Sequence, residues 1–202
     1  MIIFGASGHA KVIIDILKSI KSKESIDYII DNDRSIKNLL EFTVEHDLVS
    51  KMKNQNVVIA IGNNQIRKKV ASKIENNFCD PLVHNSAVVS AYAILGRGSV
   101  VMSNAVINSS VEIGDHCIVN SGAIVEHDSK IEDFVHISPS TTITGNVSIG
   151  EGTHIGAGAI VIPGVTIGKW VTVGAGAVII SDLPDFSVVV GNPGKVIKYK
   201  KL

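Results

Sequence analysis

The stretch Ile107-Asn108-Ser109-Ser110-Val111-Glu112-Ile113-Gly114-Asp115-His116-Cys117-Ile118-Val119 decides the architecture of this chain. Ile107, Ile113 and Val119 stand six apart, and Val111 and Cys117, small or β-branched, follow four places after the first two. The same two-position template extends in both directions. Leu, Ile or Val occupies every sixth position from Val83 to Val173 without a gap, and a small or β-branched residue stands four places on, from Ala87 to Ala177. In a chain that is 45% hydrophobic, so long a run does not arise by chance. Period six fits neither an α-helix nor an alternating hairpin sheet; it fits a parallel β-helix built from hexapeptide turns. Three hexads make a triangular coil of eighteen residues with the aliphatic side chain pointing inward. Glycine and asparagine recur near the expected corners, at Gly98, Asn104, Asn146, Gly152 and Gly158 among others, where backbone room or positive φ is useful. At a parallel-strand spacing of ~4.8 Å the prism stands roughly 25 Å tall and encloses a dry aliphatic core.

Composition divides the 202 residues near Pro81. Before it Lys, Glu and Asn are frequent and strand alternates with helix; after it comes the repeat. We therefore expect a small α/β domain over residues 1–80 and the β-helix with a C-terminal tail over 81–202. Formal net charge is zero, which implies no nucleic-acid or membrane-surface field. No apolar run is long enough to span a bilayer, and the short Met1–Phe4 run lacks a signal-peptide pattern. Cys117 falls at an inward hexad position, and Cys79 has no evident partner, so a cytoplasmic setting is expected.

In the first eighty residues, Met1–Phe4 reads as a strand, Gly5–His9 as a tight loop and Ala10–Ile20 as a helix. A second strand ends in Ile30-Asp31-Asn32, and a third, Val57–Ile61, runs through Gly62-Asn63-Asn64 into a helix from about Gln65 to Ile74. This is a small Rossmann-like βαβ unit, too short for a complete dinucleotide domain. A Gly-rich loop feeding a helix N-terminus leaves N–H groups to hold an anion. An acid at the second strand's end, Asp31, stands where ribose or base groups would lie. Gly5 and Gly8 are present without the third glycine of a dinucleotide fingerprint, so a mononucleotide or nucleotide conjugate suits the unit better.

Seven histidines are distributed along the chain. His127 falls at a corner, pointing outward, with Gly145 eighteen residues on in the same column. That pairs a general base with an unshielded backbone amide as a candidate oxyanion donor. Asp128 follows directly and is placed to bond the other ring nitrogen and fix the tautomer. His136 and His154 also share a column, but Ile118 and Thr172 flank them there, so no metal is expected. His46, His84 and His116 are expected to be solvated or locally hydrogen-bonded.

With these residues assembled, the chain resembles the bacterial hexapeptide-repeat sugar acyltransferases related to UDP-N-acetylbacillosamine N-acetyltransferases and sialic acid O-acetyltransferases. Three segments resemble that family's nucleotide-sugar domain: Phe4-Gly5-Ala6-Ser7-Gly8-His9-Ala10-Lys11-Val12, the strand-end Asp31-Asn32, and Ala60-Ile61-Gly62-Asn63-Asn64-Gln65-Ile66-Arg67-Lys68-Lys69. Asn120-Ser121-Gly122-Ala123-Ile124-Val125-Glu126-His127-Asp128 resembles its catalytic segment, and Val190-Gly191-Asn192-Pro193-Gly194-Lys195 its tail. The resemblance implies a left-handed β-helix, a homotrimer with sites between adjacent prisms, and acetyl-CoA as co-substrate. It implies His127 as general base with Asp128 supporting it, where UDP-bacillosamine relatives carry Glu. It further implies Ser7, Gly8, His9, Asp31, Asn32, Gly62 and Asn120 as contacts to the nucleotide-sugar. His136, Ala157 and Ala175 would line the acetyl-CoA groove, the last commonly Gly in relatives.

The expectation is thus an acetyl-CoA-dependent N-acetyltransferase acting on a nucleotide-linked 4-amino-sugar of the UDP-4-amino-4,6-dideoxy-N-acetylhexosamine type. Transfer is direct, with the Gly145 amide steadying the tetrahedral oxyanion. Two other readings stay open at this point: an O-acetyltransferase for sialic acid or a related hydroxyl, and a non-enzymatic solenoid or nucleotide-binding module. Whether the nucleotide is UDP, dTDP or GDP is not fixed by the residues.

Overall fold

The computed structural model describes residues 1–20, 26–46, 55–75 and 77–200. A small α/β unit comes first. Its sheet has the strand order β3-β4-β2-β1-β5, with β1 at Ile2–Phe4, β2 at Tyr28–Ile30, β3 at Asn38–Leu39, β4 at Phe42–Glu45 and β5 at Val57–Ile59. β1 pairs in parallel with β2 and β5, so the loops after these three strands open on one edge. Helix α1 spans Gly8–Ser19 and α2 spans Asn64–Ala71. Ala10, Ile13, Ile14, Ile16 and Leu17 recur at helical spacing and are all buried, which fixes the face α1 turns inward. The hairpin of β3 and β4 carries no sequence signal. Its turn places Leu40 at φ +52° where glycine or asparagine would ordinarily stand. Helix α2 ends three residues earlier than the periodicity predicts.

From Leu82 the chain climbs a three-sided prism whose strands are two residues long. One face is the ladder through Val100–Val101, Ile118–Val119, His136–Ile137, His154–Ile155 and Thr172–Val173, here called the His136 face. The Ile124 face runs through Val88–Val89, Val106–Ile107, Ile124–Val125, Thr142–Ile143, Ile160–Val161 and Val178–Ile179. The Lys130 face runs through Ile94–Leu95, Glu112–Ile113, Lys130–Ile131, Ser148–Ile149 and Thr166–Ile167. Register advances by eighteen residues throughout, as His136 opposite His154 illustrates. The inward residues Val101, Ile107, Val125, Ile137, Ile143, Ile155 and Val161 are each at most 1% exposed. Fully burying an aliphatic side chain of this size contributes about 1.5–3 kcal/mol, and the hexad repeats that gain, while the small position also admits Ser99, Ser129, Thr141 and Thr153, whose hydroxyls donate to prism carbonyls. The C-terminal tail extends the His136 face with Ser187–Val190, which pairs in parallel with Thr172–Val173, and folds back as Lys195–Tyr199.

From Gly98 onward each corner is a two-residue turn whose second residue has positive φ. Gly152 (φ +67°) holds that position at one corner, and Asp128 (φ +60°) and Asn146 (φ +57°) hold it at another. The left-handed region suits Gly, Asn and Asp. Glycines elsewhere have a different cause. A Cβ on Gly96 would lie 2.3 Å from the Gly114 backbone carbon, so its bare α-carbon allows successive coils to stack.

The small unit packs on the His136 face. Val100, Met102 and Ile118 of that face share a core with Ile3, Ala10, Ile13, Ile14 and Leu17. His116 is corrected here: it is 5% exposed, stacked on Phe134 and edge-on to Phe78, not solvated. Among the described residues no helix is long and apolar enough to cross a membrane.

Candidate active site

His127 and Asp128 form the turn between the Ile124 and Lys130 faces. The left-handed conformation of Asp128 bends its carboxylate back to the preceding ring, and His127 Nδ1 meets Asp128 Oδ2 at 2.8 Å. With the proton on Nδ1 donated to the carboxylate, Nε2 carries the lone pair. The imidazole is 63% exposed, so it is open to a partner or substrate.

Gly145 lies one coil on. An added Cβ there would meet His127 Cε1 at 2.8 Å and Nε2 at 2.9 Å, so the glycine is what lets the ring lie flat against the prism. The sequence pictured this amide as unshielded; the structure instead buries Gly145 beneath the imidazole. Its N–H has no hydrogen-bond acceptor among the described residues. The opposite rule holds at the Glu151 corner. There the amides of Arg97 and Asp115 are capped by carboxylates one coil on, Asp115 and Asp133, at 2.7 and 2.8 Å. The residue one coil beyond Gly145 is Pro163, which has no side-chain acceptor to offer.

The nucleotide-loop candidates gather at the carboxyl edge of the small sheet. Ser7 is the N-cap of α1 but makes no side-chain cap bond, so its hydroxyl and the amides of Gly8 and His9 are open, while Ala10 N donates to Ser7 O at 3.1 Å; Ser7 and Gly8 are exposed. Asp31 has a task the sequence did not reveal. Its carboxylate accepts from Ala6 N at 2.6 Å and Asp33 N at 2.8 Å, bracing the first loop against the end of β2. Asn32 beside it is exposed, and Gly62 is half-buried in the loop after β5. His9 lies below, largely buried, its imidazole pushed down to about 4, first by burial and then by the charge of Arg67.

The His136 face supplies the rest. Asn120 Nδ2 lies 3.2 Å from His136 Nε2, His136 stacks on His154 at 4.8 Å between centroids, and His154 Nε2 lies 2.9 Å from Ser138 Oγ. Burial, followed by the neighbouring His154, Arg67 and His9, pushes His136 down to about 3. Ala157 and Ala175 are exposed at the first turn position of the adjoining corner. Their amides are open among the described residues, the arrangement that main-chain contacts to a ligand need. Cys117 is inert, its thiol pushed up to about 12 by burial in the prism. No group of three or more metal-ligating side chains occurs among the described residues.

These candidates do not converge within one chain. The small domain and the His136–His154 stack occupy one face, and His127 stands on the edge opposite that face. A side of five or so extended residues puts roughly 15 Å between corners. A depression of about 460 Å³ lies elsewhere, on the Lys130 face, lined by Glu112, Lys130, Glu132, Asp133, Glu151 and Lys169 among others. Four carboxylates against two lysines leave it acidic, and it contains none of the candidate residues.

Comparison with known proteins gives this arrangement a lineage. Residues 1–74 match the family model of the PglD N-terminal domain. Residues 92–127, 128–162 and 146–181 match the bacterial transferase hexapeptide model. A histidine-to-asparagine variant of perosamine N-acetyltransferase from Caulobacter crescentus, solved with CoA and GDP-perosamine, superposes with TM-score 0.91 at 36% identity, covering 98% of this chain and 96% of that one. The acetyltransferase domain of PglB from Neisseria gonorrhoeae gives TM-score 0.88 at 36% identity over 97% of this chain and 98% of that one. WeeI from Acinetobacter baumannii gives 0.89 at 28% identity over 97% and 98%. With that identity sustained over essentially the full length of both chains, the protein belongs to the hexapeptide-repeat acetyltransferases that carry a PglD-type N-terminal domain.

Proposed function

We propose that the protein transfers the acetyl group of acetyl-CoA to the amine of a nucleotide-linked 4-amino-4,6-dideoxy sugar, in a site closed by two subunits of a homotrimer. The observation that carries the reading is the His127–Asp128 pair, bonded at 2.8 Å on an exposed edge, which leaves Nε2 as the ring nitrogen outside that bond. The solved perosamine N-acetyltransferase, which binds CoA and GDP-perosamine, supports the substrate class. The PglB domain, solved with acetyl coenzyme A, supports the donor.

In this reading the sugar amine attacks the thioester carbonyl carbon. His127 Nε2 takes the proton the nitrogen loses, the C–S bond breaks, and the proton passes to the departing thiolate. We assign the carbonyl oxygen's developing charge to the Gly145 N–H. Because that amide lies under the ring, it reaches the oxyanion only at the imidazole's edge. Ser7, Gly8, His9, Asn32 and Gly62 are assigned to the nucleotide-sugar, with Asp31 bracing their loop and Asn120 beside the sugar. His136, Ala157 and Ala175 are assigned to the acetyl-CoA groove. The domain boundary at 80/81 is proposed on the start of the first prism strand at Leu82.

The trimer rests on the three prism faces being chemically unlike. Outward residues of the Ile124 face are Val88, Val106, Ile124, Thr142, Ile160 and Val178, an almost unbroken apolar ladder. Those of the Lys130 face include Glu112 and Lys130, which pair at 3.5 Å. An apolar ladder of this extent belongs at a subunit contact. Burying the Ile124 face carries its His127 edge toward a neighbour's His136 face.

The test is a thiol-release assay with acetyl-CoA against UDP-, dTDP- and GDP-linked amino-sugars. Turnover with at least one of them is expected, and His127→Ala should lower it by roughly two to four orders of magnitude. A folded His127→Ala variant losing less than tenfold removes His127 as the base. Turnover with sialic acid and none with any nucleotide-sugar would replace the reading with O-acetylation.

A further inference from the structure

Arg67 heads the fully buried side chains, at 1% exposed, and it lies where α2 meets the prism. A buried guanidinium is ordinarily paired with a carboxylate. This one is not. Nε donates to His116 O at 2.8 Å, and Nη1 donates to Ile61 O at 2.9 Å and Gly62 O at 3.1 Å. Nη2 donates to Asn64 Oδ1 at 2.9 Å and Phe134 O at 2.8 Å. All five N–H groups are therefore used, each on a neutral oxygen. Two of the acceptors belong to the loop after β5 and two to the prism backbone. The fork thus sets the height of that loop above the His136 face. The same loop is held a second time, by Asn64 Nδ2 donating to Gly152 O and Thr153 O.

We propose that Arg67 is a positioning residue for the nucleotide-sugar half of the site: it pins the Ile61–Asn64 loop to the prism and, as a buried cation without a carboxylate, bars a second positive charge from the His9–His136 pair beside it. The assignment of that pair to a ligand rests on the function proposed above. The charge environment has one sign. Arg67 lowers His9, His136 and His154 after burial has done so, and Lys200 adds to the effect on His154. No carboxylate offsets them. The acids reaching an imidazole of this neighbourhood, Asp115 and Asp133, act on His116. Three ring nitrogens of this joint, His9 Nε2, His116 Nδ1 and His136 Nδ1, are buried without a hydrogen bond of full geometry, and against the cations only the Gly62 backbone favours the charged form of His136. As a neutral ring, His9 presents one donor and one acceptor, the pattern that sugar hydroxyls and base edges match; neutral His136, on the acetyl-CoA side, accepts from Asn120 Nδ2 at Nε2 and keeps Nδ1–H as a donor. As imidazolium rings they could only donate.

Histidine-labelled protein, titrated by NMR in the absence of substrate, tests the charge part. In the wild-type protein both rings are expected to stay neutral at pH 5.5. Arg67→Lys keeps the cation but cannot span five acceptors. It should leave the rings neutral while raising KM for the nucleotide-sugar about tenfold, the scale of one lost charge-assisted bond, with kcat held within about threefold. Arg67→Met should raise KM as well. It should also move a ring midpoint upward, so that the acid limb of kcat/KM shifts to higher pH than in the Arg67→Lys protein. Either ring titrating near 6.5 in the wild-type protein overturns the proposal, and that measurement needs no variant to fold. A folded Arg67→Met protein with wild-type KM and acid limb overturns it too. Because the ring titrations use no substrate, they stand or fall independently of the acetyl-transfer assay.

Discussion

At the scale of single residues, the site depends on what Gly145 lacks. The His127 ring occupies the space a side chain would take, with Cε1 only 2.8 Å from where a Cβ would sit. Gly145→Ala must therefore displace the imidazole and strain its 2.8 Å bond to Asp128. Gly145 is not among the positive-φ residues, so its backbone conformation itself tolerates alanine. We expect turnover to fall by one to two orders of magnitude while the far-ultraviolet circular dichroism and melting temperature stay near wild type; near-normal turnover would mean the ring's seat on Gly145 is immaterial. The His127–Asp128 pair was legible in the sequence because both partners are neighbours on one turn. Arg67 was not. In sequence it is one of several basic residues on α2, and only the packing of that helix against the prism separates it from the exposed Lys69.

At the scale of elements, stability is a sum over coils. Ile137 is 0% exposed, and its truncation to alanine leaves a void inside a narrow prism whose backbone cannot close in. Ile137→Ala should cost about 2–5 kcal/mol, read as a lower urea midpoint; a loss under about 1 kcal/mol would mean the coil relaxes into the gap. The joint between small domain and prism adds a pH dependence. His9 and His136 titrate at about 4 and about 3 in the folded protein, below the ordinary 6.5. The unfolded chain therefore binds protons that the folded one does not between 6.5 and those values. Stability is greatest above 6.5 and falls as pH drops through that window. A urea midpoint lower at pH 5 than at pH 7, with the difference reduced in His136→Asn, is the expected result. Elements differed in how far sequence revealed them. The hexads did so because each position repeats one environment. The β3–β4 hairpin did not, since Leu40-Glu41 is no recognised turn pair and the strands are only two and four residues long.

At the scale of the whole molecule, the prism keeps His127 and the nucleotide loops of one chain apart, so the proposed function takes one half of the site from a neighbour. Subunit mixing tests this. His127→Ala chains lack the base; Gly8→Trp chains would obstruct the first loop; each alone should be nearly inactive. Refolded together in equal amounts, they should regain about a quarter of wild-type activity, because in a cyclic trimer one subunit interface in four pairs an intact His127 with an intact loop. No recovery in a mixture shown to contain hybrid trimers would mean that each site is built from one chain.

The sequence alone determined the prism, its inward residues and the outward corner of His127, since a six-residue period leaves each side chain only one direction to point. It also determined that a Gly-rich loop and an acid meet at one sheet edge. Tertiary structure decided which prism face the small domain covers, that Asp31 braces its loop, that Gly145 lies under the imidazole, and that Arg67 shares a joint with four imidazoles, His9, His116, His136 and His154. Those outcomes depend on contacts between segments dozens of residues apart, such as Arg67 with Phe134. Such contacts leave no period in the chain because each occurs once.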